Sequence, residues 1–159
     1  NRIFVKLQKR DIYSEGSWWG NDTIWRTVHD LNKILMYSDK FGIIKEKQQR
    51  KIFSIADMII SGEKEGPLLH SPKKNNIIVA SDNSLAMDTA IATIMGFDYK
   101  KIPYIVNGFD ESVFLCKSIK EINLLSNNKK YNKHIEDFKY SDTLKFEPSK
   151  GWKNHIELK

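Results

Sequence analysis

The sequence is poor in cysteine, proline and long apolar runs. Its 159 residues include one cysteine, Cys116, and 4 prolines. A single thiol excludes an internal disulfide and any zinc site built from several thiolates of this chain. No apolar run approaches the roughly 18 residues that a membrane-spanning helix needs. One cysteine is also typical of a reducing compartment, so we expect a cytoplasmic protein.

The composition is that of a folded chain. Hydrophobic residues make up 40% and charged residues 29% of the sequence, which argues against disorder and against collagen-like or low-complexity structure. One domain is the norm at this length. The sequence starts at Asn1 rather than at a methionine, from which we expect a fragment or trimmed chain.

The positive charge is concentrated near the end of the chain. The net charge is +6; residues 1–116 hold 16 basic and 14 acidic residues, whereas residues 117–159 hold 10 and 6. We expect residues 127–159 to form a basic extension packed on the domain. Mixed lysines and aromatics can follow a nucleic-acid backbone, but Glu136 and Asp137 interrupt the stretch, so we favour a solvated surface. The residues concerned are Lys129, Lys130, Tyr131, Lys133, Phe138, Lys139 and Tyr140.

Periodicity and punctuation predict alternating strands and helices. Period-two patterns predict strands over 1–8, 52–60 and 76–81, and a short edge strand over 102–106. Helical spacing with start and stop signals predicts helices over 22–38 and 84–95, with Gly42 and Gly96 as the stops. Residues 111–126 fit either a helix or a strand. We therefore predict a single α/β domain with a mixed central sheet flanked by helices.

Carboxylates on apolar faces are the first candidate site. Asp57 shares a predicted strand face with Phe53, Ile55 and Ile59, and Asp88 lies on the apolar stripe of its helix. A buried carboxylate needs a hydrogen-bond donor, a proton or a metal. Convergence at neighbouring strand ends would suit Mg²⁺ or Mn²⁺, or an acid and base pair. The alternative is that these carboxylates only accept backbone hydrogen bonds and brace loops. The predicted metal ligands are Asp57, Glu63, Asp82 and Asp88.

The start of the first helix is the second candidate site. Arg26 and the first backbone N–H groups could bind a small polar or anionic ligand. The alternative is a set of surface ion pairs, because the charged residues recur every four positions along one helix face. Three nearby tryptophans, Trp18, Trp19 and Trp25, suit either a stacking platform or the core. The predicted ligand-binding residues are Asn21, Asp22, Thr23, Arg26 and Asp30.

Several spaced motifs resemble one family. These are the run from Asp57 to Pro67, DMIISGEKEGP, then IIVASD ending at Asp82, the AMD triplet ending at Asp88, and the MG pair ending at Gly96. In this order they resemble the prokaryotic domain-of-unknown-function family 362. The segments GSWWGNDTIWR and FEPSKGW are similar to the branch encoded among surface-polysaccharide genes.

The resemblance implies what to expect of the whole protein. It implies the C-terminal part of a longer family member, linked to surface polysaccharide biosynthesis and without an established activity. Some members carry ferredoxin-like cysteines, but Cys116 alone cannot hold an iron–sulfur cluster. Met58 and Lys64 stand where the family has small residues, and larger side chains there restrict close approach of a ligand. A non-catalytic accessory or scaffold domain is the alternative function.

Overall fold

Two helices and a β-hairpin form the framework. The computed structural model describes residues 16–110, 114–116 and 118–159. Helix α1 spans Ile24–Tyr37, strand β1 Ser54–Glu65, strand β2 Leu69–Ser81 and helix α2 Ser84–Met95. A one-turn helix α3, Pro103–Val106, follows. The remaining elements are 3₁₀ turns at Tyr99–Lys101, Asn107–Phe109, Ile119–Glu121, Ile135–Asp137 and Tyr140–Asp142. The α/β class and both long helices are confirmed.

Polar caps set the ends of the two long helices. The Asn21 Oδ1 accepts the backbone N–H of Ile24 at 3.0 Å, and Asn83 accepts the N–H of Ala86 at 3.0 Å. Helix α2 ends at Gly96, whose φ of 98° lies in the left-handed region that favours glycine. Helix α1 ends at Tyr37 with Ser38 as its C-cap, before the predicted stop at Gly42. Arg50 donates to the carbonyls of Leu35 at 2.7 Å and Ser38 at 2.6 Å.

The sheet differs from the prediction in length and direction. Strands β1 and β2 pair antiparallel from Ser54↔Ser81 to Glu65↔Leu69, with a register irregularity between Met58 and Ile60. Both strands are longer than predicted, because the hairpin continues through the glycine and glutamate run after Ile60. In the described part of the chain the sheet has two antiparallel strands, so the prediction of a mixed sheet is wrong there. The predicted strand over 1–8 lies outside the described residues.

Two further regions take shapes that the pattern did not predict. Residues 103–106 form a helical turn rather than an edge strand, because Pro103 stands at its first position, where its fixed φ suits a helix. In the ambiguous region, Ile119–Glu121 is a 3₁₀ turn and Asn123 bridges to His134.

The core lies between α2, α3 and the C-terminal third of the chain. Ile105 is 0% exposed and Leu85 is 2% exposed, and Ile122, Ile135 and Phe146 pack in the same cluster. Helix α1 joins this core through His29, whose Nε2 lies 2.8 Å from the Tyr104 carbonyl oxygen. Among the described residues no helix has the length and apolar character to cross a bilayer.

Candidate functional site

The four predicted metal ligands are dispersed. Asp57 is exposed on the open face of the hairpin and accepts the N–H of Ile59 at 2.8 Å. Asp82 is exposed ahead of α2, and Asp88 is half-buried within it. Within the described ranges no three His, Cys, Asp or Glu side chains lie close enough to hold a metal ion. This overturns the prediction that Asp57, Glu63, Asp82 and Asp88 gather around a cation.

The face of β1 that carries Asp57 is exposed rather than covered by the core. This face carries Phe53, Ile55 and Ile78, which are 67%, 66% and 64% exposed, while Met58 on the opposite face is buried. Both faces of β1 are apolar, so the period-two pattern shows which side chains share a face but not which face the core covers.

Glu63 braces a loop instead of binding a metal. Its carboxylate accepts hydrogen bonds from the Lys73 ammonium at 3.0 Å and from the backbone N–H of Glu147 at 3.1 Å. Burial alone would raise the pKa of Glu63, but the hydrogen bonds from Lys73 and Glu147 and the charge of Lys73 hold this pKa below its usual value. Here the bracing alternative describes the geometry.

The predicted anion site at the start of α1 is occupied by the helix's own side chains. The Arg26 guanidinium bonds the Asp22 carboxylate at 3.0 Å and lies 4.3 Å from the centroid of the Trp25 ring. The Trp25 indole donates to Asp22 at 2.8 Å, and this bond and Arg26 lower the pKa of Asp22. The ion-pair alternative therefore holds for Asp22 and Arg26.

The structure gives different roles to the remaining predicted ligand-binding residues, Asn21, Thr23 and Asp30. The Thr23 hydroxyl donates to Asn21 Oδ1 at 3.1 Å, so both residues stabilise the helix start. Asp30 is exposed one turn beyond Arg26, and none of the residues that the structure describes bonds its carboxylate. Of the five predicted ligand-binding residues, Asn21 alone lines a cavity described below.

A cleft of about 400 Å³ brings the motif segments together. We call it the aromatic cleft, because five aromatic side chains from separate parts of the chain line it. Asn21 and Ser149 lie in its wall, as does Lys64 near the end of β1. The lining therefore combines an apolar body with a few polar groups, which is the usual make-up of a small-molecule site. The aromatic lining residues are Trp25, Phe97, Tyr104, Phe146 and Trp152.

The end of β1 holds one wall of the cleft in place. Lys64 donates its backbone N–H to the Glu147 carbonyl at 3.0 Å, and the Glu65 carboxylate accepts the N–H of Lys150 at 2.7 Å. Together with Glu63, these bonds attach residues 147–150 to the strand. The glutamates of the SGEKEGP motif and the FEPSKGW motif are thus direct partners.

A close backbone approach fixes the same wall from the other side. The Trp19 N–H donates to the Gly151 carbonyl at 2.8 Å. A Cβ at Gly151 would collide with the Ser17 carbonyl oxygen and press on Trp18, so only glycine fits here. Trp19 also packs edge-on against Trp152, with ring centroids 6.0 Å apart. Trp25 and Trp152 thus line the cleft, and Trp19 packs on Trp152.

Two titratable side chains, His29 and Asp88, are neighbours of the cleft residue Tyr104. Burial, followed by the charge of Asp88, raises the pKa of Tyr104, and burial raises the pKa of Asp88 to about 6. His29 is 7% exposed and its Nδ1 has no hydrogen-bond partner in the described part of the chain. His29 contacts Tyr104 at its backbone carbonyl, and the charge of Asp88 acts on the Tyr104 hydroxyl.

The basic extension does not display a free aromatic platform. Tyr131 and Phe138 stack on each other with centroids 6.2 Å apart. Lys133 lies over Phe138 and bonds Asp142 at 3.0 Å. Tyr131, Phe138 and Lys133 are thus engaged within the chain, whereas Tyr140 is 44% exposed.

Scans against protein-family models, curated proteins and solved structures found no match. The resemblance to the domain-of-unknown-function family 362 therefore stays a hypothesis that rests on the motifs. What the geometry adds is that three of those motif segments, around Trp25, Lys64 and Phe146, line one cleft.

The sequence indicates the neighbourhood of the cleft but not most of its lining. Its motifs include the SGEKEGP and FEPSKGW segments, and Trp25 is a candidate stacking residue. Phe97, Tyr104 and Trp152 were not assigned to a site, because nothing local in the sequence indicates that they meet. The presence of the motif segments in the sequence was the one signal that pointed to this part of the molecule.

Proposed function

We propose that this chain is a small-molecule-binding domain whose aromatic cleft takes a polar ligand built on a sugar-like ring. The observation that supports this proposal is the convergence of five aromatic side chains on a cleft of about 400 Å³. Aromatic faces pack well against the C–H face of a flat or puckered ring, and they do so at little conformational cost.

Polar groups in the cleft wall suit hydroxyl recognition. Asn21 uses its side-chain oxygen to cap α1, and its amide nitrogen has no acceptor among the described residues. The Lys64 ammonium lies 3.5 Å from the Glu147 carboxylate. A pair of opposite charges and an amide can both donate to and accept from sugar hydroxyls. The resemblance to a branch encoded among polysaccharide genes supports the same ligand class.

Titration calorimetry with a neutral hexose, an N-acetylhexosamine and a hexuronic acid tests the proposal. At least one sugar is expected to bind saturably. Trp25→Ala should weaken that binding tenfold or more, equivalent to about 1.4 kcal/mol, because it removes one aromatic wall. Phe41→Ala is the matched control, since Phe41 is 76% exposed and does not line the cleft.

Two results would contradict the proposal. One is that none of the three sugars binds at millimolar concentration to a folded protein. The other is that Trp25→Ala and Phe41→Ala bind the sugar equally well, which would place the ligand elsewhere. Melting temperatures of both variants show that each remains folded.

A scaffold or accessory domain is the second candidate. The observation that favours it is that Glu63 and Glu65 accept backbone N–H groups of residues 147 and 150, so the acidic motif serves the architecture. This alternative expects a cleft that binds none of the sugars.

A further inference from the structure

The C-terminal end of α1 and the loop after it carry apolar side chains that the fold leaves exposed. On the helix these side chains recur at spacings of three and four residues, so they share one face. Extended apolar surface of this kind usually marks an interaction site. We call this surface the end patch, and its exposed residues are Leu31, Ile34, Leu35, Phe41, Ile43 and Ile44.

The loop is attached to the last turn of the helix. The Lys45 N–H donates to the Tyr37 carbonyl at 3.0 Å, and the Gln49 N–H donates to the Met36 carbonyl at 2.8 Å. Ile44 also forms an antiparallel bridge with Ser38, the C-cap of α1. The apolar side chains of the helix and of the loop therefore lie near each other.

Asp39 holds the tip of the loop in shape. Its carboxylate accepts the N–H groups of Phe41 at 2.9 Å and Ile43 at 3.0 Å, and it lies 3.1 Å from the Lys45 ammonium. The bond from Ile43, followed by those from Phe41 and Lys45, lowers the pKa of Asp39. At Gly42, between the two apolar residues, nothing lies within 4 Å of a Cβ position. An ordered loop thus presents Phe41 and Ile43 to the solvent.

Positive charge surrounds the end patch. Residues 33–51 hold six basic and two acidic side chains. Lys45 pairs with Asp39, and Arg50 donates to backbone carbonyls of α1. The Lys40 ammonium lies 5.0 Å from the centroid of the Phe41 ring. Four lysines of this segment have no carboxylate partner among the residues that the structure describes, namely Lys33, Lys40, Lys47 and Lys51.

We propose that the end patch docks on an anionic lipid surface. Apolar side chains on an ordered loop can enter the boundary between headgroups and acyl chains, while neighbouring lysines attract the anionic headgroups. Charge favours this occupant over a second copy of the chain, because two copies facing each other here would bring their lysines together. The end patch shares no residue with the lining of the aromatic cleft, so lipid docking does not depend on sugar binding.

Co-sedimentation of the full chain with lipid vesicles tests the docking. The parent is expected to bind vesicles of equimolar phosphatidylcholine and phosphatidylserine about tenfold or more tightly than vesicles of phosphatidylcholine alone. Phe41→Ala should weaken this binding by roughly fivefold or more, because it removes the most exposed apolar side chain of the end patch. Leu125→Ala is the matched control, since Leu125 is 91% exposed and lies outside the patch.

A pair of charge reversals separates the end patch from the net charge of the chain. Lys47→Glu should weaken binding to the phosphatidylserine vesicles by roughly tenfold. Lys129→Glu changes the net charge by the same amount at an exposed lysine of the C-terminal stretch, and it should bind nearly as the parent does. Equal losses in the two variants would overturn the proposal, because the attraction would then be general.

Three further results would also overturn it. The first is a folded parent that binds neither kind of vesicle, and the second is equal binding by Phe41→Ala and the parent. The third is a parent dimer in sedimentation equilibrium that Phe41→Ala dissociates, because a second copy would then cover the end patch. Melting temperatures show that each variant is folded, and Ile43→Ala replaces Phe41→Ala if the latter melts early.

Discussion

At the scale of single residues, Asp88 has the most unusual environment. Its spacing on α2 predicted a place on the apolar side, and it is half-buried there. None of the described residues donates a hydrogen bond to its carboxylate, and burial raises its pKa to about 6. The bracing role predicted for it requires a donor, so Asp88 costs the fold stability when it is ionised.

Asp88→Asn is therefore expected to stabilise the protein at pH 8. The folded state holds a proton that the unfolded chain releases near pH 3.8, so the parent loses stability as the pH rises through about 6. At about 1.4 kcal/mol per pH unit between the two pKa values, the gain is on the order of 3 kcal/mol.

Urea unfolding of the parent and Asp88→Asn at pH 8 and pH 4 measures this effect. Most of the difference should disappear at pH 4. Asp82→Asn, at an exposed position near the same helix, is the control and should change little at either pH. A parent that is more stable than Asp88→Asn at pH 8 would show that the carboxylate is favourably bonded.

Asp57 and Asp88 show what a pattern can and cannot predict about burial. Asp88 is half-buried as its spacing predicted, although α2 is apolar around most of its circumference. On α1 the apolar residues Leu31 and Leu35 are 60% and 51% exposed, so a helical stripe does not by itself indicate the buried side. Strand β1 is apolar on both sides, with Ile55 on the open face and Met58 on the covered one. Which of the two is covered depends on α2, which the strand sequence does not specify.

At the scale of elements, the helix ends follow local chemistry closely. Asn83 and Gly96 cap α2 where the sequence predicted, because a side-chain acceptor and a left-handed residue act within one turn. The hairpin was harder to predict, since its strands run through the Gly62 and Lys64 segment that reads as a loop.

Gly96→Ala is expected to destabilise the protein more than Gly42→Ala. Both glycines have positive φ, 98° and 82°, so alanine is strained by about 1 kcal/mol at either position. A Cβ at Gly96 would also lie 3.0 Å from the Thr143 hydroxyl oxygen, whereas nothing lies within 4 Å at Gly42. Thermal unfolding of the two variants measures the difference, and equal losses would mean that Thr143 moves aside freely.

At the scale of the whole molecule, the cleft depends on contacts that no local pattern contains. The sequence predicted the α/β class, the long helices and the motif segments. It did not predict that the Glu63 carboxylate binds the Glu147 N–H, or that Gly151 lies against Ser17. These long-range contacts bring Trp25, Phe146 and Trp152 to one cavity. They also explain why the acidic motif was mistaken for a metal site.

The position of the excess positive charge also depends on contacts between distant parts of the chain. The excess lysines lie after residue 116, and Lys73, in the central hairpin, is already bound by Glu63 and the Lys145 carbonyl. The same C-terminal stretch also supplies Phe146, Glu147 and Trp152 to the aromatic cleft, where Lys64 faces Glu147.

The most direct test of ligand binding in the aromatic cleft is a nuclear magnetic resonance titration of the indole N–H signals. The chain has four tryptophans, of which Trp25 and Trp152 line the cleft. With the sugar that binds in calorimetry, we expect the Trp25 and Trp152 signals to shift saturably and together, with a smaller shift at Trp19, which packs on Trp152. Signals of Trp25 and Trp152 that stay fixed while the sugar binds would contradict the proposed site.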